Sequence, residues 1–219
     1  MSLFQSFIDQ DKYVANKWLH YFVAYERHFK SWQNKSVNFL EIGVSHGGSL
    51  EMWRKYFGPL ANIVGIDINP NCKAVEQLGI NVRIGSQSDP DFLQSLIDEF
   101  GMFDVVLDDG SHRMDDVWNS FQYLYPKMPK NGIYMVEDMH TSYSAQWGGG
   151  LNAPDSFINR CKQLIDELNA PTSTKWTKDN IVTEFSKNTV SMSFYESIVV
   201  FERGQVPVYF PPEYGSKRV

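Results

Sequence analysis

Short runs of apolar, β-favouring residues alternate along the chain with segments in which apolar residues recur every three or four positions. This alternation is typical of βα units, in which buried strands are joined by helices. The runs predict five strands, at residues 37–42, 63–68, 81–84, 105–107 and 133–136. Because a helix fits into each connection, we expect an α/β fold with a doubly wound, parallel sheet and right-handed crossovers.

Turn and capping residues mark the helices between these strands. Gly58 and Pro59 end a helix that follows the first strand, and Asp89 with Pro90 suits the cap and first residue of a helix that ends near residue 100. An amphipathic helix is predicted at about residues 12–30, before the first strand. Further helices are expected at about residues 71–78, 115–125 and 156–168.

The pattern changes after residue 138. Residues 141–153 have no helical or strand period and contain three consecutive glycines beside Trp147. The sequence is compatible with a mobile lid and with an ordinary surface loop. Residues 190–194 and 198–201 predict an antiparallel hairpin. Residues 207–219 are proline-rich and are expected to be extended.

Composition narrows the class of protein. The length of 219 residues favours one domain with a short extension. The formal net charge of −6 argues against nucleic acid as a partner. No stretch approaches the roughly 20 apolar residues of a membrane span, and no secretory signal is visible. With two distant cysteines, Cys72 and Cys161, we expect a reduced, cytoplasmic protein.

Charged residues follow the fourth and fifth predicted strands where each ends. Asp108, Asp109 and His112 follow one strand, and Glu137 and Asp138 follow the next. The carboxyl ends of parallel strands meet at one sheet edge, where ligands bind. Carboxylates without cysteine suit a hard divalent cation, and a histidine can take a proton near neutral pH. Each carboxylate could instead serve a turn, and neighbours on a regular strand would point to opposite faces.

The turn after the first strand is rich in glycine. Gly43 and Gly47 allow a tight turn and close approach of a ligand to the backbone. Asp67, at the end of the second strand, is placed to accept hydrogen bonds from ribose hydroxyls. The spacing is not that of dinucleotide-binding enzymes, so a nucleoside site and a plain structural turn both remain open.

Together these motifs resemble the macrocin O-methyltransferase family, which includes mycinamicin-type sugar methyltransferases and is related to proteins named cephalosporin hydroxylases. The resemblance spans residues 11–203 and rests on the segments 41–43, 47–49, 65–67, 108–112 and 137–138. It implies a Rossmann-like class I methyltransferase fold, with a mostly parallel, seven-stranded sheet whose last strand is antiparallel. It divides the chain into a helical extension (1–36), a methyltransferase domain (37–203) and a tail (204–219).

The resemblance also implies the cofactors and their residues. S-adenosylmethionine (SAM) would occupy the glycine turn, with Asp67 on the ribose and Gln87 beside the adenine. Magnesium would be held by Asp109, Glu137 and Asp138, with His112 as the base on a sugar hydroxyl. The full set of expected cofactor residues is Glu41, Gly43, Ser45, Gly47, Ser49, Asp67, Gln87 and Asp108.

The expected activity is magnesium-dependent transfer of a methyl group from SAM to a hydroxyl of a sugar or glycoside, by a chain that could form homo-oligomers. Two alternatives remain from the sequence. An iron-dependent oxygenase would need two histidines and a carboxylate, which His112, His140 and Asp109 could supply. A non-catalytic SAM-binding domain is the other, and the intact set of carboxylates argues against it.

Overall fold

The computed structural model describes residues 2–173, 178–205 and 212–216 of the chain. In these residues seven strands form one sheet: β1 (Asn38–Ile42), β2 (Asn62–Asp67), β3 (Asn81–Ile84), β4 (Val105–Asp108), β5 (Ile133–Val136), β6 (Thr189–Tyr195) and β7 (Ile198–Arg203). The α-helices are α1 (Leu3–Ile8), α2 (Tyr21–Phe29), α3 (Gly48–Phe57), α4 (Pro90–Phe100), α5 (Met114–Leu124), α6 (Phe157–Ser173) and α7 (Glu184–Asn188).

The strand order is β3-β2-β1-β4-β5-β7-β6. The first five strands pair in parallel, whereas β7 is antiparallel to both of its neighbours, β5 and β6. The doubly wound α/β fold, the hairpin and the antiparallel last strand are therefore confirmed. In this register Ile42 lies opposite both Ile66 and Asp108, and Asp108 lies opposite Val136. The residues that follow β1, β2, β4 and β5 thus meet at one edge of the sheet.

Apolar side chains cover both faces of the sheet, as expected for strands buried on two sides. On one face Phe39 packs against Trp53 of α3, with ring centroids 5.3 Å apart, and against Phe29 of α2. On the other face Phe121 of α5 packs against Tyr134, at 5.2 Å. The aromatic residues of α2 are thus core residues rather than an exposed surface. Formation of homo-oligomers stays a prediction.

The amino-terminal segment differs from the prediction. The expected helix at residues 12–30 is confined to α2, and α1 was not predicted. Residues 10–20, the strap, form neither helix nor strand. Three backbone N–H groups of the strap, at Asp11, Lys12 and Tyr13, donate to the Glu51 carboxylate of α3, at 3.5, 3.3 and 3.3 Å. The Val14 carbonyl, which would accept from residue 18 in a helix, instead accepts from Gly48 of α3, so tertiary contact overrides the local pattern.

The strap crosses closely over the first turn of α3. The backbone N–H of Gly48 donates to the carbonyl oxygen of Val14 at 3.2 Å. A Cβ atom at position 48 would come within 2.4 Å of the backbone of Val14 and Ala15. Glycine is therefore needed at position 48 for the strap to lie where it does.

The remaining differences lie after β5. The segment 141–153 contains short 3₁₀ turns, Met139–Tyr143 and Ala145–Trp147, and its Ser142 is fully buried. Its role as a lid stays a prediction. Helix α6 runs five residues further than expected, and α7 was missed although Thr183 and Ser186 form a capping box. Most of the predicted extended tail at 207–219 lies outside the described residues. No described helix has both the length and the apolarity that crossing a membrane requires.

Candidate active site

A cavity of about 490 Å³ opens at the sheet edge where β1, β2 and β4 end. The glycine turn forms one wall, the residues after β4 form another, and the strap closes a third side with Val14 to Lys17. Of the predicted cofactor residues, those that line the cavity are Gly43, Ser45, Ser49, Asp67 and Gln87. The structure thus brings together residues from three separate loops and from the amino-terminal strap.

Asp67 holds the glycine turn in place. One of its carboxylate oxygens accepts hydrogen bonds from the backbone N–H groups of Val44 (3.0 Å) and Ser45 (2.9 Å). Gly43, at the start of this turn, has a φ of +96°, and a Cβ there would lie 2.1 Å from the carbonyl oxygen of Asp109. The turn and the end of β4 therefore fit together only with glycine at position 43.

Three predicted cofactor residues, Glu41, Gly47 and Asp108, do not line the cavity. Glu41 accepts hydrogen bonds from Ser49 and Trp53, and burial raises the pKa of its carboxyl to about 7. Asp108 is fully buried, and burial raises its pKa to about 6. The carboxylates of Glu41 and Asp108 form their hydrogen bonds behind the cavity wall. This placement does not support direct contact with a cofactor, which stays a prediction.

Gln87 lines the cavity but also belongs to this framework. Its side-chain oxygen accepts a hydrogen bond from the backbone N–H of Ser111 at 2.8 Å, and its nitrogen donates to Asp108 at 3.1 Å. The amide thus joins the end of β3 to the end of β4.

Asp109, His112 and Asp138 form a cluster at the cavity edge. The His112 Nε2 atom lies 3.9 Å from Asp109 Oδ1 and 3.6 Å from Asp138 Oδ2. One potential ligand atom from each residue lies within 4.8 Å of the other two. Strand β5 has ended at Val136, so Glu137 and Asp138 no longer alternate as strand neighbours. A left-handed φ of +54° directs Asp138 toward the cluster.

Two carboxylate oxygens of this cluster are available to a cation. Within the described part of the chain, the hydrogen bonds to Asp109 and Asp138 reach Asp109 Oδ2, from Lys17, and Asp138 Oδ1, from Tyr21. Asp109 Oδ1 and Asp138 Oδ2 accept none from the residues that the structure describes, and both face His112. Oxygens without donors beside a cavity fit a hard divalent cation, which prefers carboxylate and water ligands.

Glu137 points away from this pair of oxygens. Both of its carboxylate oxygens contact the Lys17 ammonium, at 3.0 and 3.1 Å, and one also accepts a hydrogen bond from Tyr25 at 2.5 Å. Its side chain is 2% exposed. Glu137 is therefore near Asp109 as predicted, but its oxygens are shared with two buried donors, and its role as a metal ligand stays a prediction.

Lys17 is the site residue that the sequence did not reveal. Its ammonium lies 2.5 Å from Asp109 Oδ2 and 3.6 Å from Glu41, besides its contacts with Glu137. Burial alone would lower the pKa of Lys17, but the three carboxylates outweigh burial and raise it well above the usual value. The carboxylates around the ammonium therefore hold it in its charged form.

Histidine and aromatic side chains surround the cluster. The Trp147 ring lies 5.8 Å from that of His112, and the exposed Trp18 lies 6.3 Å from His140. His140 is half exposed, bonds to Ser197, and lies 3.9 Å from the Asp138 oxygen that Tyr21 uses. The cluster found among the described residues thus contains one histidine, not the two that an iron oxygenase site needs.

Comparisons with known proteins show what the chain is similar to. Residues 40–139 match the model of a methyltransferase domain family. Mycinamicin VI 2''-O-methyltransferase of Micromonospora griseorubida is 32% identical over 217 residues, which are 90% of this chain and 53% of that protein. Demethylmacrocin O-methyltransferase of Streptomyces fradiae is 38% identical over 170 residues, 72% of this chain and 42% of that protein. The chain thus spans about half the length of these relatives.

A solved structure adds the same likeness in three dimensions. MycE methyltransferase from the mycinamycin biosynthetic pathway, in complex with Mg and SAH (S-adenosylhomocysteine), superposes with a TM-score of 0.79 at 31% identity. The match covers 91% of this chain and 54% of that chain. Sheet order and domain match together define a class I methyltransferase fold. Within that class, the chain is a relative of the macrocin- and mycinamicin-type sugar O-methyltransferases, as its motifs predicted.

Proposed function

We propose that the chain is a SAM-dependent and magnesium-dependent O-methyltransferase that acts on a hydroxyl group of a sugar or glycoside. One observation supports this more than any other. The cavity beside the glycine turn reaches Asp109 and His112, and His112 lies next to one oxygen of Asp109 and one of Asp138, neither of which accepts a hydrogen bond from the described residues. Such an edge suits a cofactor on one side and a metal-bound hydroxyl on the other.

The proposed binding of SAM is supported by the glycine turn and Asp67. SAM supplies a methyl group already activated as a sulfonium, so the protein has mainly to align and deprotonate the acceptor. Asp67 fixes the backbone of Val44 and Ser45 and lines the cavity, where it can also accept hydrogen bonds from ribose hydroxyls. The strap, through Val14 and its neighbours, excludes water from the third side.

The proposed binding of magnesium is supported by Asp109 and Asp138, which would hold the ion. Glu137 is the third predicted carboxylate. A bound divalent ion lowers the pKa of a hydroxyl in its shell. His112 Nε2 is placed between the two free oxygens and would take the proton of that hydroxyl. Tyr21, which donates to the other oxygen of Asp138, fixes the orientation of this carboxylate.

The acceptor class comes from the relatives. By their names, those given above act on mycinamicin VI and demethylmacrocin, and MycE has also been solved with Mg, SAH and mycinamycin VI. Exposed aromatic and imidazole rings beside the cluster, at Trp18 and His140, suit the apolar face and the hydroxyls of a sugar. These features favour a sugar acceptor over a nucleic acid, as does the net charge of −6.

The test is methyl transfer from isotopically labelled SAM, followed by mass spectrometry, with magnesium and a panel of glycosides and nucleotide sugars. Labelled product should form with magnesium and disappear in excess EDTA, whereas SAH binding measured by calorimetry should persist under chelation. Transfer at an undiminished rate in EDTA would show that the carboxylates serve another purpose. Binding of SAH without turnover on any acceptor would instead favour a non-catalytic domain.

A further inference from the structure

Trp18, on the strap, differs from the other tryptophans of the chain in its exposure. It is 57% exposed, whereas Trp53 is fully buried and Trp32, Trp118 and Trp147 are partly buried. Among the described residues it is thus the one tryptophan that presents most of its surface to solvent. Tryptophan is highly buried on average, so an exposed indole ring beside a functional site indicates a surface that contacts a ligand.

A series of short contacts connects Trp18 to the acidic cluster. Its ring lies 6.3 Å from the His140 ring, at an angle of 73°. The Nδ1 atom of His140 lies 3.9 Å from Oδ1 of Asp138. From the other oxygen of Asp138, a second series of contacts leads through His112 to Trp147. Each of the two tryptophans therefore stands two contacts away from the same carboxylate.

The strap fixes Trp18 in position although the ring is exposed. The ammonium of the preceding residue, Lys17, is anchored to three carboxylates. The carbonyl oxygen of Trp18 accepts a hydrogen bond from the backbone N–H of Tyr21, the first residue of α2, at 3.0 Å. The indole ring also packs against that of His20, with centroids 5.8 Å apart. A side chain held in this way loses little conformational freedom when a ligand binds, which favours affinity.

His140 adds a polar group beside the indole ring. Its Nδ1 atom bonds to Ser197 Oγ at 3.1 Å, and no hydrogen bond within the described part of the chain reaches its Nε2 atom. A flat apolar surface with a hydrogen-bonding group at its edge matches a pyranose ring, which has faces of C–H groups and a rim of hydroxyls. Because His140 contacts both Trp18 and Asp138, a sugar placed on the indole would extend toward the carboxylates.

We propose that Trp18 is a specificity-determining residue for the acceptor: its indole ring stacks on the C–H face of the sugar, and His140 Nε2 bonds to a hydroxyl at the edge of that sugar. This inference rests on the proposed function, because it assigns the selection of the sugar to a residue of the same site. A sugar with a bulky axial substituent on the stacked face cannot approach the indole ring closely. Trp18 therefore selects the acceptor by the stereochemistry of its ring.

The experiment combines methyl transfer from isotopically labelled SAM with binding by saturation-transfer difference NMR, in which SAH replaces SAM. Both use the full chain with magnesium. The probes are the glycosides of the panel above, including methyl α-L-rhamnopyranoside and mycinamicin VI, on which one relative acts by its name. The variants are Trp18→Ala and Trp18→Leu, which remove the flat ring, and Trp18→Phe, which keeps one. Leu19→Ala is the matched control, because Leu19 is the next residue of the strap and is 69% exposed.

For the glycoside that the wild type methylates best, Trp18→Ala and Trp18→Leu should raise KM about tenfold or more. The value of kcat should stay within about threefold, because stacking holds the sugar equally in the ground state and the transition state. Trp18→Phe should recover most of the affinity, and Leu19→Ala should match the wild type. The NMR signals of the C–H protons on one sugar face should weaken in Trp18→Ala, whereas SAH affinity from calorimetry should be unchanged in every variant.

An unchanged KM in both Trp18→Ala and Trp18→Leu would overturn the role of Trp18 and leave the proposed function standing. A change of molecular mass by light scattering in Trp18→Ala and Leu19→Ala, with KM unchanged, would assign this surface to contact between chains instead. If the wild type binds SAH but neither binds nor methylates any of the glycosides, the sugar acceptor itself is wrong, and the role of Trp18 falls with it.

Discussion

Two residues beside the free carboxylate oxygens, His112 and Asp138, have left-handed backbone conformations, with φ of +57° and +54°. This region is uncommon for residues other than glycine, although His, Asp and Asn enter it more readily than most. Here it turns both side chains toward the same point in space. A substitution that tests their chemistry should therefore also tolerate the left-handed region.

For His112, asparagine meets this requirement better than alanine. If His112 takes the proton of the acceptor, His112→Asn should lower kcat by about 10²- to 10⁴-fold, because a positioned base of this kind typically contributes that much. SAH affinity from calorimetry should change little, because the glycine turn and Asp67 are untouched. Wild-type kcat in His112→Asn, with the loss seen in His140→Asn instead, would move the role to His140.

At this scale the sequence identified residues that lie together because each follows a strand end. Asp109, His112 and Asp138 were predicted because carboxyl ends of parallel strands meet at one edge. Lys17 could not be predicted. It lies 92 residues from Asp109 and 120 from Glu137 along the chain, in a segment whose pattern predicted a helix and not a site residue. Only the tertiary path of the strap brings its ammonium to the site.

Among the elements, the parallel strands were predicted within a residue or two, because strands buried on both faces are short apolar runs bounded by polar residues. The amino-terminal helix was overextended. Its apolar spacing is real from Tyr21 to Phe29, but the preceding residues follow α3 instead of coiling. Local periodicity reports which residues can form a helix, and the competing contact with Glu51 is not visible in it.

The close contact between strap and α3 leads to a second prediction. In an ordinary first helical turn, Gly→Ala raises stability by up to about 1 kcal/mol. At Gly48 the added methyl group meets the backbone of Val14 and Ala15, so we expect Gly48→Ala to lower the free energy of unfolding by about 1–3 kcal/mol and to weaken SAH binding. Urea unfolding and calorimetry test this, and a more stable variant with wild-type affinity would contradict it.

For the whole molecule, burial of acidic groups under a single sheet edge affects stability as a function of pH. Burial raises the pKa of Asp108 from 3.8 to about 6, although Ser120 and Tyr134 donate to its carboxylate. The folded protein thus holds a proton that the unfolded chain has lost. Its stabilising contribution is present below about pH 4 and is lost as the pH rises through 6.

We therefore expect the ionisation of Asp108 to lower the unfolding free energy of the wild type by about 3 kcal/mol as the pH rises from 4 to 7. The Asp108→Asn variant should lack this decline. The quantity to compare is the slope of stability with pH from urea unfolding, because the asparagine also changes the hydrogen bonds to Ser120 and Tyr134. Parallel slopes for the two proteins would show that Asp108 ionises in the folded state as it does in the unfolded chain.

The strap has a consequence for how this fold can be divided. Residues 14–17 form part of the cavity wall, and Lys17 supplies a positive charge to carboxylates on three strand ends. The boundary predicted before residue 37 falls after all of these contacts. A fragment that begins at residue 37, or a chimera with a foreign amino terminus, would lack one wall of the cavity. It would also lack the positive charge that Lys17 places beside the three carboxylates. The unit that can be transplanted or recombined is therefore longer than its sheet, and it begins at or before the strap.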